Sequence, residues 1–168
     1  MSEIAKRQFV RQQGVGDASA ASCAYQYPAL MFQPRLLAAV VLLAILLQSA
    51  AMFLVLAGLL WWNVLVPTRN PFDALYNRAI AAPRKLPPLT PAPAPRRFAQ
   101  GMAGTILAGA GLALLAARPG LAWTLEGLVT VALGALVLGR FCLGSYLYHL
   151  LRGETSFANR TLPWSRSE

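Results

Sequence analysis

Three long stretches of this chain carry almost no charge. Residues 36–66 form a run of 31 without a charged side chain, residues 98–117 form another of 20, and residues 121–139 hold only Glu126. A bilayer core about 30 Å thick takes roughly 20 apolar residues per helical crossing. Helices are the natural solution there, because they satisfy their backbone polar groups internally. The chain is therefore expected to be all-α and integral to a membrane. Composition agrees, with 57% hydrophobic and 12% charged residues, whereas soluble domains carry about a quarter charged residues.

The first run poses a choice. As one helix it would be about 46 Å long, which spans a bilayer only when steeply tilted. As a hairpin it would turn near Gln48-Ser49, the one polar pair inside it, with the first helix borrowing residues from 29 onward. Pro34 suits the first turn of that helix. Charge favours the hairpin. Residues 1–28, with Lys6, Arg7 and Arg11, form a basic tail, and Arg35 adds to it. Residues 67–97 carry Arg69, Arg78, Arg84, Lys85, Arg96 and Arg97 against Asp73 alone. Lysine and arginine are retained in the cytoplasm, so an even number of crossings should separate the two basic segments. The resulting scheme has two membrane hairpins, 29–66 and 98–151, four crossings, and a cytoplasmic tail at 152–168. Both termini would lie in the cytoplasm of a bacterial inner membrane. No cleavable signal pattern precedes the first apolar run, so that run is expected to stay as an anchor. The small, polar stretch at 14–22 is expected to be mobile in isolation.

The linker contains eight of the twelve prolines, and its second half is expected to be extended and semi-rigid. Its first half reads differently. Asn70 can cap a helix over 71–82 that starts with Pro71 and carries Asp73 in its first turn. Phe72, Leu75, Tyr76, Ala79 and Ile80 recur at helical spacing, which describes a short amphipathic helix. It would lie in the membrane interface, or alternatively present Phe72, Leu75, Tyr76 and Ile80 to a partner.

In the second hairpin, Gly101, Thr105 and Gly109 repeat every four residues, as do Gly104 and Ala108. Thr130 and Gly134 repeat likewise, followed by Ala135 and Gly139. Rows of small residues allow helix backbones to approach closely in lipid. Arg118-Pro119-Gly120 is a tight turn for the opposite membrane face, with Trp123 as an interfacial anchor. The last helix is expected to run on through residues 141–148.

Two stretches carry a family resemblance: Pro93-Ala-Pro-Arg96-Arg97-Phe98-Ala99-Gln100, and Phe141-Cys142-Leu143-Gly144-Ser145-Tyr146-Leu147-Tyr148. Together they resemble the bacterial integral-membrane family catalogued as domain of unknown function 4395, over about residues 35–151. The resemblance implies the membrane fold. It also implies a Cys-Leu-Gly-Cys pattern, of which Cys142 supplies the first cysteine while Ser145 stands at the second. A thiol-redox role is the alternative function that this pattern suggests, and the missing second thiol counts against it.

Other residues suggest chemistry only singly. His149, the one histidine, has Ser145 one turn before it, leaving room for a tetrapyrrole such as (bacterio)chlorophyll whose metal the imidazole would ligate. The competing reading is a histidine at headgroup level beside Tyr146 and Tyr148. Glu126, inside an apolar run, invites a proton-transfer role; the simpler reading is a carboxylate near a helix start, helped by the dipole and by Arg118. Cys23 and Cys142 have no metal-ligand spacing, and no catalytic constellation or metal site is expected. The net charge of +9 fits anionic lipid better than nucleic acid. The expectation is a non-catalytic accessory or scaffolding subunit of a larger membrane assembly, photosynthetic or otherwise electron-transferring. Its partners would be other membrane subunits and anionic lipids.

Overall fold

A computed structural model describes residues 3–16 and 20–165. All regular structure among them is helical: α1 Glu3–Gln12, α2 Ala20–Leu46, α3 Ala50–Leu65, α4 Pro71–Tyr76, α5 Ala94–Leu115, α6 Pro119–Val137, α7 Leu143–Leu151 and α8 Thr155–Arg160. A short 3-10 turn at Pro67–Arg69 precedes α4, and a π-helical turn at Asn77–Ala81 follows it. Asp17, an acid set against the basic residues of the first tail, and Arg166, a basic residue of the last, lie outside the described residues.

The 31-residue run is not one helix. α2 closes at Leu47–Ser49, where Gln48 adopts a left-handed φ of 44° and the Ser49 amide donates back to the Ala44 carbonyl at 3.0 Å. Ser49 then caps α3, its hydroxyl accepting from the Met52 amide at 3.4 Å. The same left-handed stop recurs at Ala117 (φ 52°) between α5 and α6, and at Arg140 (φ 54°) after α6. Such caps satisfy the orphan carbonyls of a helix end.

Three helices, Ser22–Leu46, Ala94–Leu115 and Pro119–Val137, are long and apolar enough to cross a membrane. The protein is thus of membrane type. α3 has 16 residues, about 24 Å of helix. It runs antiparallel to α5: Gly101 of α5 faces Val64, Gly104 faces Leu60 and Trp61, and Gly111 faces Leu54 and the Ala50 carbonyl. The main core lies among α2, α3, α5 and α6, around Leu37, Val41, Phe53, Leu60, Leu107 and Val129. α5 packs most extensively with α3, and also with α6 and α7.

Three expectations are corrected. First, the basic tail opens with a packed helix, while the run expected to be mobile at 14–22 lies partly outside the described residues. α1 buries Phe9 and Val10 against Cys23, Tyr27, Leu30 and Met31, an apolar face that the basic residues concealed. Second, Pro34 lies in mid-helix, as does Pro28. Ala29, Leu30, Met31 and Gln33 are all buried, so packing offsets the missing backbone bonds. Third, the last apolar helix stops at Val137, and residues 143–151 form α7, a separate helix against α5.

Candidate functional site

Asn70 starts the polar network. Its side-chain oxygen accepts from the amides of Phe72 and Asp73, and its amide nitrogen donates to Asp73 Oδ2 at 2.9 Å. Asp73, expected as a first-turn acid opposite the apolar stripe of Phe72, Leu75, Tyr76, Ala79 and Ile80, is buried. Arg96, in the first turn of α5, donates to both its oxygens, at 2.7 Å to Oδ1 and 3.3 Å to Oδ2. The same guanidinium reaches Gln33 Oε1 of α2 at 2.8 Å, and Gln100, one turn beyond Arg96, donates to that oxygen at 2.9 Å. Arg96 and Gln100 are 5% and 7% exposed. A two-pronged, charge-assisted pair fixes geometry as well as charge, so this network sets α2, α4 and α5 relative to one another. The neighbouring Arg97 turns away, donating from Nε to the Val64 carbonyl at the end of α3 at 3.1 Å.

Gln13, Gln33, Arg96, Gln100 and Cys142 form the polar wall of a cavity of about 80 Å³, closed on the other side by side chains such as Leu60 and Leu133. Gln13 Nε2 and Gln100 Oε1 are buried without hydrogen-bond partners in the described structure. A space of this size and polarity suits ordered water or a small polar solute. The positive charge is already matched by Asp73, so the wall offers a free donor and a free acceptor rather than net charge.

α7 follows directly on Cys142 of the cavity wall and packs on α5. A Cβ built on Gly144 would lie 2.6 Å from Ala99 Cα, so α7 crosses α5 with backbone on backbone, and only glycine fits. The two stretches that carry the family resemblance therefore touch. The Cys142 amide donates to Gln12 Oε1 at 3.0 Å. Cys142 and Cys23 are both buried and not joined in a disulfide. Ser145 is fully buried, and its hydroxyl has no partner in the described structure.

His149 is also accounted for within the protein. Its Nδ1 lies 2.6 Å from Glu154 Oε2 and its Nε2 3.3 Å from the Gln12 carbonyl, with Tyr148 and Phe157 against the ring. Ligation of a tetrapyrrole metal would have to displace one of these partners. The His149 hydrogen bond holds the Glu154 carboxyl below its ordinary range; desolvation opposes this, and the charges of His149 and Arg152 add to the lowering. Among the described residues, no three His, Cys, Asp or Glu side chains gather to hold a metal.

The small residues divide into two groups. Gly101 and Gly104 pack on α3, Gly109 meets Leu125 of α6, and Ala108 adjoins the main core. Thr130 and Gly134 line an apolar groove of about 210 Å³ with Ala38, Val41 and Leu42 of α2. The linker face is split as well. Phe72 and Tyr76 are buried, Ile80 packs beside Tyr76, and Leu75 is exposed. Glu126 lies two turns into α6, with Gln48 rather than Arg118 as its partner at 3.2 Å.

Sequence reasoning missed Gln33, Gln100 and the Asp73–Arg96 pair. A signal was present in Arg96 and Gln100, four residues apart on one face of an apolar helix, and in Asp73, the only acid of a basic linker.

Three long apolar helices and a polar network folded against one end of them define an α-helical membrane protein with a small, mostly apolar cavity that has one polar wall. The chain belongs to the family described as Domain of unknown function (DUF4395), which matches residues 27–152, from within α2 to just past α7. No curated protein and no solved structure matches the chain.

Proposed function

We propose that the protein is a non-catalytic accessory subunit of a larger assembly in the bacterial inner membrane. In this reading α2, α3, α5 and α6 make four crossings, with the termini and the 67–97 linker on the cytoplasmic side. One observation supports contact as the function. Gly120, Gly127 and Gly134 recur every seven residues along α6, and none has an atom within 4 Å of where its Cβ would lie. In lipid, helix association depends on close packing more than on burial of apolar surface. A row of glycines unused inside the protein leaves a track for another helix backbone. The photosynthetic or electron-transfer form of this reading leaned on His149. With both ring nitrogens engaged, the glycine track carries the proposal, and it applies to membrane assemblies generally.

The thiol-redox alternative has one observation in its favour, the position of Cys142 on the cavity wall. Against it, Ser145 occupies the position of a resolving thiol.

Purification in mild detergent tests the main reading. Gly127→Leu/Gly134→Leu should insert and fold as the wild type does, yet lose co-purifying subunits. Gly104→Leu, pressed against Trp61 and Leu60, should impair the fold itself. Retention of every wild-type partner by the α6 double variant would overturn the subunit reading.

A further inference from the structure

A second concavity lies on the linker side of α2, away from the motif cavity. Tyr25, Pro28, Phe32 and Arg35 recur along one face of α2; Tyr76, Ile80 and Arg84 recur every four residues opposite them. Together they line a cleft of about 800 Å³ with mostly apolar walls. Arg35 and Arg84 are both exposed, and neither has an ion-pair partner among the described residues. No acidic side chain lines the cleft. Asp73, the only acid of the linker, is committed to Arg96.

The position of Arg35 decides which anion fits. It is the last charged residue before the uncharged run that begins at Leu36, so it stands where headgroups meet hydrocarbon. Beyond it the same stripe of α2 continues through Ala39, Leu42, Leu43 and Leu46, all exposed. The stripe leads from a cationic cleft directly along an apolar helix face. That sequence of surfaces, cation then hydrocarbon, is complementary to a phosphodiester headgroup followed by an acyl chain. Basic pockets beside membrane helices bind anionic headgroups through the same combination.

We propose that this cleft is a specific site for an anionic membrane phospholipid. Its phosphate lies between Arg35 and Arg84, and an acyl chain follows the α2 stripe toward Leu46. A zwitterionic lipid would bring an ammonium group beside two guanidinium groups, so headgroup charge sets the preference. The proposal gives the expected anionic-lipid contact a location, and it stands independently of whether the protein is a subunit of a larger assembly.

Delipidated protein in mild detergent is titrated with phosphatidylglycerol or phosphatidylcholine, and bound lipid is counted by native mass spectrometry. One phosphatidylglycerol should bind at concentrations where phosphatidylcholine does not. Arg35→Gln and Arg84→Gln should each weaken binding about fivefold and the pair about thirtyfold, the scale of basic residues at an anionic surface. Arg35→Lys/Arg84→Lys should keep most of the affinity. Arg69→Gln, exposed in the same linker but outside the cleft, should leave it unchanged. A photo-crosslinkable acyl chain, used on the unmutated protein, should label the 36–46 segment of α2. Equal binding of the two lipids, an equal loss in Arg69→Gln, displacement by millimolar inorganic phosphate, or labelling confined to other segments would each overturn the site.

Discussion

α5 and α6 are alike in length, apolarity and content of small residues, and the fold uses them in opposite ways. α5 is the more heavily packed: α3, α6 and α7 lie on it, Gly104 and Gly111 meet neighbouring side chains, and Ala99 meets the backbone of α7 at Gly144. α6 is peripheral. Leu121, Trp123, Leu128 and Val131 are exposed, and a Cβ on Gly120, Gly127 or Gly134 would meet no atom within 4 Å. A row of small residues therefore permits close approach without showing that it occurs within the chain. The neighbour decides, and in lipid the unused row is the informative one.

The largest effect expected from disturbing this contrast is at the polar end of α5. Arg96→Ala strands the buried Asp73 carboxylate and removes a donor from Gln33, so a loss of about 3–5 kcal/mol is expected. Leu128→Ala on the exposed face of α6 should shift stability by less than about 0.5 kcal/mol. Thermal unfolding in a single detergent compares them. The double change Asp73→Leu/Arg96→Met should recover much of the loss, because removing both charges leaves neither one stranded. Similar melting temperatures for Arg96→Ala and Leu128→Ala would mean that the network does not hold α5.

Glycine exchange should come next in size. Gly144→Val puts side-chain carbons where the Ala99 backbone lies, and overpacking of this kind costs about 1–3 kcal/mol. Gly127→Val on α6 has open space and should leave unfolding almost unchanged. The pair sharpens the comparison because the added volume is identical.

Much of the architecture was legible because lipid imposes a simple rule on length and apolarity. The break at Leu47–Ser49 was legible too, since Gln48 and Ser49 are the one adjacent polar pair in an apolar run. The rest depended on contacts between distant segments. Asp73 and Arg96 each satisfy a local rule, one at a helix start and the other in a basic segment. Their pairing across 23 positions left no trace in spacing. Gln33 stands beside Pro34, expected in the first turn of a helix, and nothing in its spacing shows that it receives bonds from two residues of α5. The end of α6 was hidden because its stop uses Arg140 in a left-handed conformation, where glycine is the usual signal. The folding of α1 was hidden because Lys6, Arg7 and Arg11 mark the segment as basic, while its apolar face rests on Phe9 and Val10 alone and finds its partners in α2.

The smallest expected effect concerns the clasp that joins the end of α7 to the start of α8. Glu154 pairs with His149 and, at 3.3 Å, with Arg152, and its carboxyl titrates below the ordinary value of 4.5. A carboxyl with a depressed pKa in the folded protein stabilises it fully above the unfolded value. That contribution is lost as pH falls through the lower, folded value. The clasp should thus be complete near neutrality and weaken only below about pH 4.5. Because Glu154 is partly open to solvent, the change should be confined to α7 and α8 rather than unfold the protein. Hydrogen exchange, corrected for intrinsic pH dependence, reads this directly. Protection of α7 amides should fall at acid pH in the wild type, whereas Glu154→Gln should show the weaker protection at every pH. Amides of α6, which lack any such clasp, should not respond. Parallel acid sensitivity in the wild type and Glu154→Gln would assign the change to another group, and an equal response in α6 would mean that acid loosens the whole bundle.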